Sequence, residues 1–117
     1  MRYFSIAIRR REYNEGEIKI SEPKTYIGSV QTPNNYRDIQ AYGERITDKK
    51  KIILKNRFVL ERDCKGNVHS KINDGDLAYI NASPLNEANK GENADYVVES
   101  VTIGNIYCEI ICNKIIR

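Results

Sequence analysis

The last quarter of the chain carries the pattern that most restricts its fold. Two apolar, β-branched runs, YVVESVTI (96–103) and IYCEIICNKI (106–115), flank the pair Gly104-Asn105. A two-residue connection that begins with glycine favours a type II′ hairpin turn, because glycine tolerates the positive φ of the first central position. That turn would place opposite each other Ile103 and Ile106, Val101 and Cys108, Glu99 and Ile110, and Val97 and Cys112. The sequence therefore predicts an antiparallel hairpin with one largely apolar face, which makes Cys108 and Cys112 core residues.

Shorter strands are predicted along the rest of the chain. Residues 3–8 alternate apolar and polar side chains, and Asn14, Glu15 and Gly16 supply a turn, so residues 3–20 are interpreted as a hairpin. Gly28 interrupts the next strand and indicates a bulge or a close backbone approach. The further predicted strands are 25–32, 50–55, 58–63, 68–72 and 76–81, with turns at 66–67 and 73–75.

Two segments lack a strand pattern. Residues 33–46 show only a hint of helical spacing, and residues 83–95 form a polar, Asn-rich stretch expected to be a mobile loop. The predicted fold is therefore mainly β: one domain over residues 1–117, built as a small antiparallel β-barrel or sandwich of about six to eight strands with long polar loops.

Composition narrows the class of protein. Apolar residues make up 40% of the chain and charged residues 30%, as in ordinary globular proteins, and no apolar run suits a bilayer. The first residues lack the order of a secretory signal, and three cysteines suit a reducing compartment, so we expect a cytoplasmic site of synthesis. Residues 1–60 hold 13 Lys and Arg against 7 Asp and Glu, and the remainder holds 6 against 9. This asymmetry predicts a basic side and an acidic side, which suits stacking between unlike partners.

No catalytic or metal-binding constellation is found in the sequence. The one histidine, His69, has no companion ligand or nucleophile at a usable spacing and is interpreted as an exposed loop residue. Cys108 and Cys112, four residues apart on a strand, cannot converge on one zinc ion or reach a disulfide, and Asp74-Gly75-Asp76 is interpreted as a turn. Nucleotide-binding and hydrolase signatures are absent. We therefore expect no enzyme activity, no cofactor and no metal.

Two basic runs, Arg9-Arg10-Arg11 and Lys49-Lys50-Lys51, raise the possibility of nucleic-acid binding. A single-strand platform would interleave aromatic and basic residues on one strand face, but the eight tyrosines are scattered. The favoured interpretation is that both runs are solvated strand ends that protect sheet edges from aggregation. Contact with a phosphate backbone that is not read for sequence stays open.

The order of elements resembles that of a known family. After an N-terminal hairpin come, in order, GSVQTP (28–33), YGERI (42–46), KKKIIL (49–54), GDLAYI (75–80) and ADYVVESV (94–101). Over roughly residues 15–112 this arrangement resembles the small head-closure proteins, also called stoppers or head-completion proteins, of long-tailed bacteriophages. The resemblance implies a β-barrel subunit that joins the portal and its adaptor to the tail and closes the DNA exit channel after packaging.

Further expectations follow from the resemblance. The subunit would form a homo-oligomeric ring of about six or twelve copies in the neck of a virion, assembled in the bacterial host cytoplasm. Its partners would be the portal or adaptor protein, a tail terminator or tail tube protein, and double-stranded DNA that passes without sequence readout; no membrane is involved. The implied channel or ring contacts are Tyr36, Arg37, Asp38, Tyr42, Glu44, Arg45, Lys49 and Lys50. The loop 83–95 is the alternative plug or tail-docking element.

Two other functions stay open from the sequence alone. A tail-terminator or other neck ring protein would have the same partners, although terminators are usually longer and carry a helix packed on the sheet. A β-barrel that binds single-stranded DNA would bind strongly as a monomer, with a steep dependence on salt.

Overall fold

Alternating strands close into a barrel in the computed structural model, which describes residues 3–32 and 48–116. The fold is mainly β and antiparallel, as the sequence predicts. Around the barrel lie, in spatial order, β1 (Phe4–Arg9), β4 (Lys24–Gln31), β5 (Lys49–Lys55), β10 (Tyr107–Lys114), β9 (Tyr96–Ile103) and β8 (Leu77–Tyr79), and β8 pairs with β1 to close the ring. Outside it are the hairpins β2 (Arg11–Asn14) with β3 (Glu17–Ile20) and β6 (Leu60–Arg62) with β7 (Val68–Ser70), and one helical turn, α1 (Asn56–Val59).

The barrel interior is filled by the apolar residues that alternate along each strand. Every second side chain points inward, so Ile6 lies opposite Tyr26, and Ile52 lies between Val30 and Ile110. Cys108 and Cys112 belong to this core and are fully buried, which confirms the prediction for both. Burial of this surface supplies the main driving force for folding.

Gly28 marks a close backbone approach, one of the two alternatives predicted for it. A Cβ at this position would lie 2.8 Å from the carbonyl oxygen of Ile53 and would collide with the Leu54 side chain. Strands β4 and β5 can therefore pack together here only because residue 28 has no side chain.

The connections between strands separate into two ends of the barrel. The pair Gln31 and Lys51 lies near one end, from which residues 32–48 and 80–95 depart; we call it the loop end. The pair Lys55 and Tyr107 lies near the other end, where residues 10–23, 56–76 and 104–106 connect the strands; we call it the hairpin end. The two segments predicted to lack strands therefore leave the barrel at the same end.

Two predicted hairpins are wrong in detail. Residues 3–20 do not form one hairpin, because β1 pairs with β4 and β8 and only residues 11–20 fold on themselves around Glu15-Gly16. The β9–β10 hairpin is shifted by two residues: Cys108 lies opposite Ile103, and the N–H of Gly104 donates to the carbonyl of Tyr107. Gly104 does not adopt the positive φ that a type II′ turn requires.

A bulge in β9 changes which of its side chains face inward, whereas the two-residue shift keeps each side chain on its predicted face. The register changes between Ile111 and Cys112, so that Ser100 pairs with Ile111 and Val98 with Cys112. The extra residue, Glu99, points outward, and Val98 instead of the predicted Val97 enters the core. Residues 58–63, predicted as strand throughout, begin instead in α1, whose buried Val59 helps to fill the hairpin end.

Candidate functional site

The loop end carries the segment for which the resemblance implies channel contacts. Six of the implied residues lie outside the described residues: Tyr36, Arg37, Asp38, Tyr42, Glu44 and Arg45. The strands on both sides of the segment are described, and they are neighbours in the barrel, paired from Ser29 with Ile53 to Gln31 with Lys51. The segment therefore leaves and re-enters the barrel at one position on its rim.

The two remaining implied contacts, Lys49 and Lys50, make bonds within the subunit. Lys49 is buried, and its ammonium group donates to Glu99 Oε2 at 2.7 Å and to Asn113 Oδ1 at 2.6 Å. The ammonium group of Lys50, which is half-buried, donates to Thr32 Oγ1 at 2.7 Å. Lys49 is therefore not a solvated strand end, and as ring or channel contacts both lysines stay predictions.

Residues 80–95, which we call the strap, fold back over the outside of β8 and β1. The carboxylate of Glu87 accepts hydrogen bonds from the Arg9 guanidinium at 2.9 Å, from the Tyr79 hydroxyl at 2.9 and 3.0 Å, and from the N–H of Asn93 at 2.8 Å. Arg9 also donates to the carbonyl of Ser21. The Arg9 and Glu87 side chains are only 6% and 2% exposed, so a buried ion pair fixes the strap to the barrel wall.

Apolar contacts hold the strap as well. Its Ala94 packs against Leu77 and Tyr79, which face outward from β8, and forms a second small core there. Gly91 has a φ of +89°, and a Cβ on it would collide with Leu77, so the strap lies directly on the strand. The carboxylate of Asp95 closes the base of the strap by accepting the N–H groups of residues 80 and 81. Residues 83–95 contain no strand or helix, as predicted for a loop, and they pack along the barrel. The mobility expected of this loop stays a prediction.

Ionisation of Glu87 is coupled to this packing. Burial alone disfavours the carboxylate, but the hydrogen bonds from Asn93, Tyr79 and Arg9 outweigh burial and hold the pKa of Glu87 below its ordinary value. Burial and the hydrogen bond to Glu87 raise the pKa of the Tyr79 hydroxyl, which stays a donor. The strap is therefore held by a carboxylate that stays charged at neutral pH.

On the opposite wall, formed by β4, β5, β10 and β9, none of residues 3–32 and 48–116 folds back as the strap does. A shallow groove of about 340 Å³ lies there between Ile53, Thr102, Tyr107 and Glu109. The neighbouring Ile27 is 64% exposed. We call this surface the open wall; it combines apolar side chains with scattered charges, as protein interfaces do.

The hairpin end holds a cleft of two adjoining chambers that share Lys24, Tyr26 and Lys71. The outer chamber, about 450 Å³, is completed by the apolar side chains of Ile27 and Phe58. The inner chamber, about 180 Å³, is lined in addition by Ile8 and by the polar residues Arg10, Ser21, Glu61 and Asp76. We call the two chambers together the hairpin-end cleft.

The inner chamber contains a buried carboxylate and a buried phenol. Asp76 is 1% exposed and accepts the N–H groups of Asn73 at 2.9 Å and Arg11 at 3.3 Å. Burial raises the pKa of Asp76 in spite of these two bonds. Burial, followed by the nearby carboxylates of Asp76 and Glu61, also raises the pKa of Tyr26. Both groups favour their neutral forms more than exposed groups do.

The other residues weighed in the sequence have structural settings. His69 is exposed, as expected, although it lies in β7; its Nε2 is 2.8 Å from Asp63 Oδ2, and this contact, with backbone N–H groups, lowers the pKa of Asp63. Cys64 is exposed and unpaired. Asp74 and Gly75 form the predicted turn, in which Gly75 has a positive φ.

Among residues 3–32 and 48–116 no group of acidic, His and Cys side chains is arranged to hold a metal ion. No helix in this same part of the chain is long and apolar enough to cross a bilayer.

Sequence reasoning missed both the strap contact and the hairpin-end cleft. Arg9 was interpreted as a solvated strand end with Arg10 and Arg11, yet it is 5% exposed, whereas Arg10 is exposed as expected. Its position on the outward face of β1 gave no signal, because the residue that buries it lies 78 positions away. The only partial signal was that Glu87 is the first charged residue after Asp76 in the sequence.

Comparisons with protein-family models, with curated proteins and with solved structures found no match to this chain.

Proposed function

We propose that this protein is a structural subunit of a phage or prophage neck, a stopper that forms a ring, joins the portal or adaptor to the tail, and closes the DNA channel after packaging. The proposal rests on the family resemblance in the order of sequence elements. The observation that best supports it is that β4 and β5 are paired neighbours, so the two ends of the connection between them lie side by side on the rim of a closed barrel. In a ring, such a segment from every copy would converge on one axis.

The strap favours one of the two candidate plug segments. Residues 80–95 leave the same loop end, but Glu87 and Ala94 hold them against β8 and β1. A segment that makes these contacts is poorly suited to plug a channel. If it extended away from the barrel, Arg9 would stay buried without its partner Glu87. The channel segment in this proposal is therefore 34–48.

The two outer walls of the barrel suit a cyclic assembly. A ring requires two different surfaces on each subunit that bind each other. Here the open wall exposes Ile27 and Tyr107 around a shallow groove, and the strap presents a different, mostly polar surface on the other side. In the proposed ring the open wall of one copy contacts the strap side of the next. A closed barrel also leaves no edge strand in the barrel sheet to pair with the wrong partner.

The decisive experiment is electron microscopy of particles made when the gene is deleted from the phage or prophage that carries it. A stopper predicts emptied heads beside tails of normal length with finished ends. Filled, stable heads with overlong or ragged tails would replace the proposal by tail termination. Particles unchanged in form would rule out both neck functions.

A test on the purified protein addresses the remaining alternative, a single-strand DNA-binding barrel. Lys49 belongs to the basic run that raised this alternative, but its ammonium group is bonded within the subunit to Glu99 and Asn113, which weakens the case for DNA binding. We expect the monomer to bind an oligothymidylate weakly at physiological salt. Tight binding that falls steeply as salt rises would favour the DNA-binding function instead.

A further inference from the structure

The hairpin-end cleft has the features of a peptide-docking site. Its outer chamber has a volume in the range of ligand pockets, and it joins the inner chamber through Lys24, Tyr26 and Lys71. Apolar and polar walls meet along one continuous surface. A ligand that fills both chambers must therefore carry an apolar group beside a polar one.

The charges of the cleft indicate which polar group the ligand carries. Within residues 3–32 and 48–116 the ammonium groups of Lys24 and Lys71 make no hydrogen bond or ion pair, although both line the junction of the two chambers. Ile27 and Phe58, both exposed to solvent, line the outer chamber together with these lysines. A carboxylate placed between the lysines would gain two charge-assisted hydrogen bonds, while an adjacent apolar side chain covers Phe58.

The acceptors of the cleft distinguish a peptide from a nucleic acid. Glu61 and Asp76 line the inner chamber beside the lysines, so a peptide with spaced carboxylates meets less repulsion there than a backbone with a phosphate at every nucleotide. A peptide also supplies backbone N–H donors for Glu61 as well as a side-chain carboxylate for the lysines. The mixture of charges is therefore complementary to a peptide.

We propose that the hairpin-end cleft binds an acidic peptide segment of a partner protein, one in which an apolar side chain stands next to a carboxylate. The apolar side chain occupies the outer chamber against Ile27 and Phe58. The carboxylate binds Lys24 and Lys71 at the junction, within reach of the Tyr26 hydroxyl. This site lies at the end of the barrel opposite the segment 32–48, and it does not depend on the ring-forming function.

The test is fluorescence anisotropy with labelled peptides of about ten residues, long enough to cross both chambers in extended form. The first probe alternates Glu and Leu; one comparison probe alternates Lys and Leu, and another alternates Glu and Ser. We expect the Glu-Leu peptide to bind the full chain at least about tenfold more tightly than either comparison peptide. Equal binding of the Lys-Leu peptide, or no binding of the Glu-Leu peptide, would overturn the proposal.

Variants locate the binding. Lys71→Glu and Phe58→Ser are each expected to weaken the Glu-Leu peptide by about tenfold or more, and Lys24→Glu serves the same purpose if Lys71→Glu does not fold. The matched control is Lys114→Glu, an exposed charge reversal at the loop end, which should change the affinity by less than about twofold. Cleft variants that bind like the wild type would refute the site. Displacement of the peptide by an equal concentration of a short oligothymidylate would assign the cleft to nucleic acid instead.

Discussion

Arg9 and Glu87 form a buried ion pair, with 2.9 Å between Arg9 Nη2 and Glu87 Oε1, although 78 residues separate them in the sequence. One residue lies on the barrel and the other on the strap. The pair therefore joins the first strand to a segment that would otherwise be a long loop.

Removing the carboxylate of this pair should destabilise the protein strongly. Glu87→Gln keeps the shape of the side chain but leaves the buried Arg9 guanidinium without a counter-charge, and we expect a loss of about 3 kcal/mol in the free energy of unfolding. Urea denaturation followed by circular dichroism measures this loss. The matched control is Glu22→Gln, whose ion pair with Lys90 is exposed and whose denaturation midpoint should not move. Equal midpoints for the two variants would show that the Arg9–Glu87 pair contributes no more than a surface pair.

The strap should loosen in acid. The pKa of Glu87 is lower in the folded protein than in the unfolded chain, so its contribution is fully present above the unfolded value and is lost as pH falls through the folded one. The protection factor of the Asn93 amide, whose N–H donates to Glu87, should therefore fall as pH drops below the ordinary pKa of a glutamate, before the protection of the barrel strands falls. In Glu87→Gln this acid-dependent step should be missing. An unchanged step in the variant would assign it to another group.

Asp76 should have the opposite dependence on pH. Its pKa is higher in the folded protein, so the folded state loses stability relative to the unfolded chain as pH rises from the unfolded value through the folded one. Asp76→Asn does not titrate. We therefore compare the free energy of unfolding of the variant with that of the wild type. The difference, variant minus wild type, should rise across this pH interval and become constant above it. Urea denaturation at a series of pH values measures this difference. A flat difference would mean that Asp76 titrates normally.

Gly28 should not accept a side chain. The Cβ of Gly28→Ala would overlap Leu54 and the carbonyl of Ile53, so we expect a loss of about 1–3 kcal/mol or more, as for overpacked cores. Thr25→Ala, on the same strand but exposed, is the control and should cost much less. Adding Leu54→Ala to Gly28→Ala relieves only the side-chain overlap, so the double variant should remain less stable than Leu54→Ala alone. Thermal melts monitored by circular dichroism test all four proteins.

Only one of the three cysteines should react in the native state. Cys64 is exposed, whereas Cys108 and Cys112 are fully buried, and burial raises the pKa of Cys112 to about 12. An aromatic disulfide reagent should therefore modify one thiol per chain at neutral pH and all three in denaturant. Cys64→Ser should abolish the native reaction. Rapid reaction of a second thiol in the native protein would mean that the barrel opens readily.

The sequence was informative where a structural preference is local. Alternation of apolar residues predicted most of the strands, a mainly β fold that was either a barrel or a sandwich, and the burial of Cys108 and Cys112, since the side-chain period of a strand is two wherever the strand lies. The absence of a side chain at Gly28 similarly indicated a close approach. These features depend on neighbours in the chain and can be inferred without a topology.

The remaining features depend on contacts between distant segments. The pairing of β1 with β4 and β8, in place of the predicted hairpin over 3–20, is decided by which strands close the barrel. The entry of Val98 instead of Val97 into the core depends on a bulge at Glu99, and no adjacent glycine or proline indicates that bulge. The buried setting of Arg9 requires Glu87, and the hairpin-end cleft combines residues from several connections. None of these can be inferred from the residues nearby in the sequence.

The short strand β8 affects how the barrel opens in solution. Its backbone is registered to β1 through three residue pairs and to β9 through two, so its hydrogen-bonded ladders are short. The Tyr79 hydroxyl nevertheless donates a hydrogen bond to Glu87 from outside the barrel. Asp95 accepts hydrogen bonds from the two backbone N–H groups that follow the strand. The strap therefore reinforces the barrel where its strand pairing is shortest. Spontaneous opening of the barrel would begin with dissociation of the strap from β8, and the lifetime of the closed barrel would depend on Glu87 and Asp95, which belong to none of its strands.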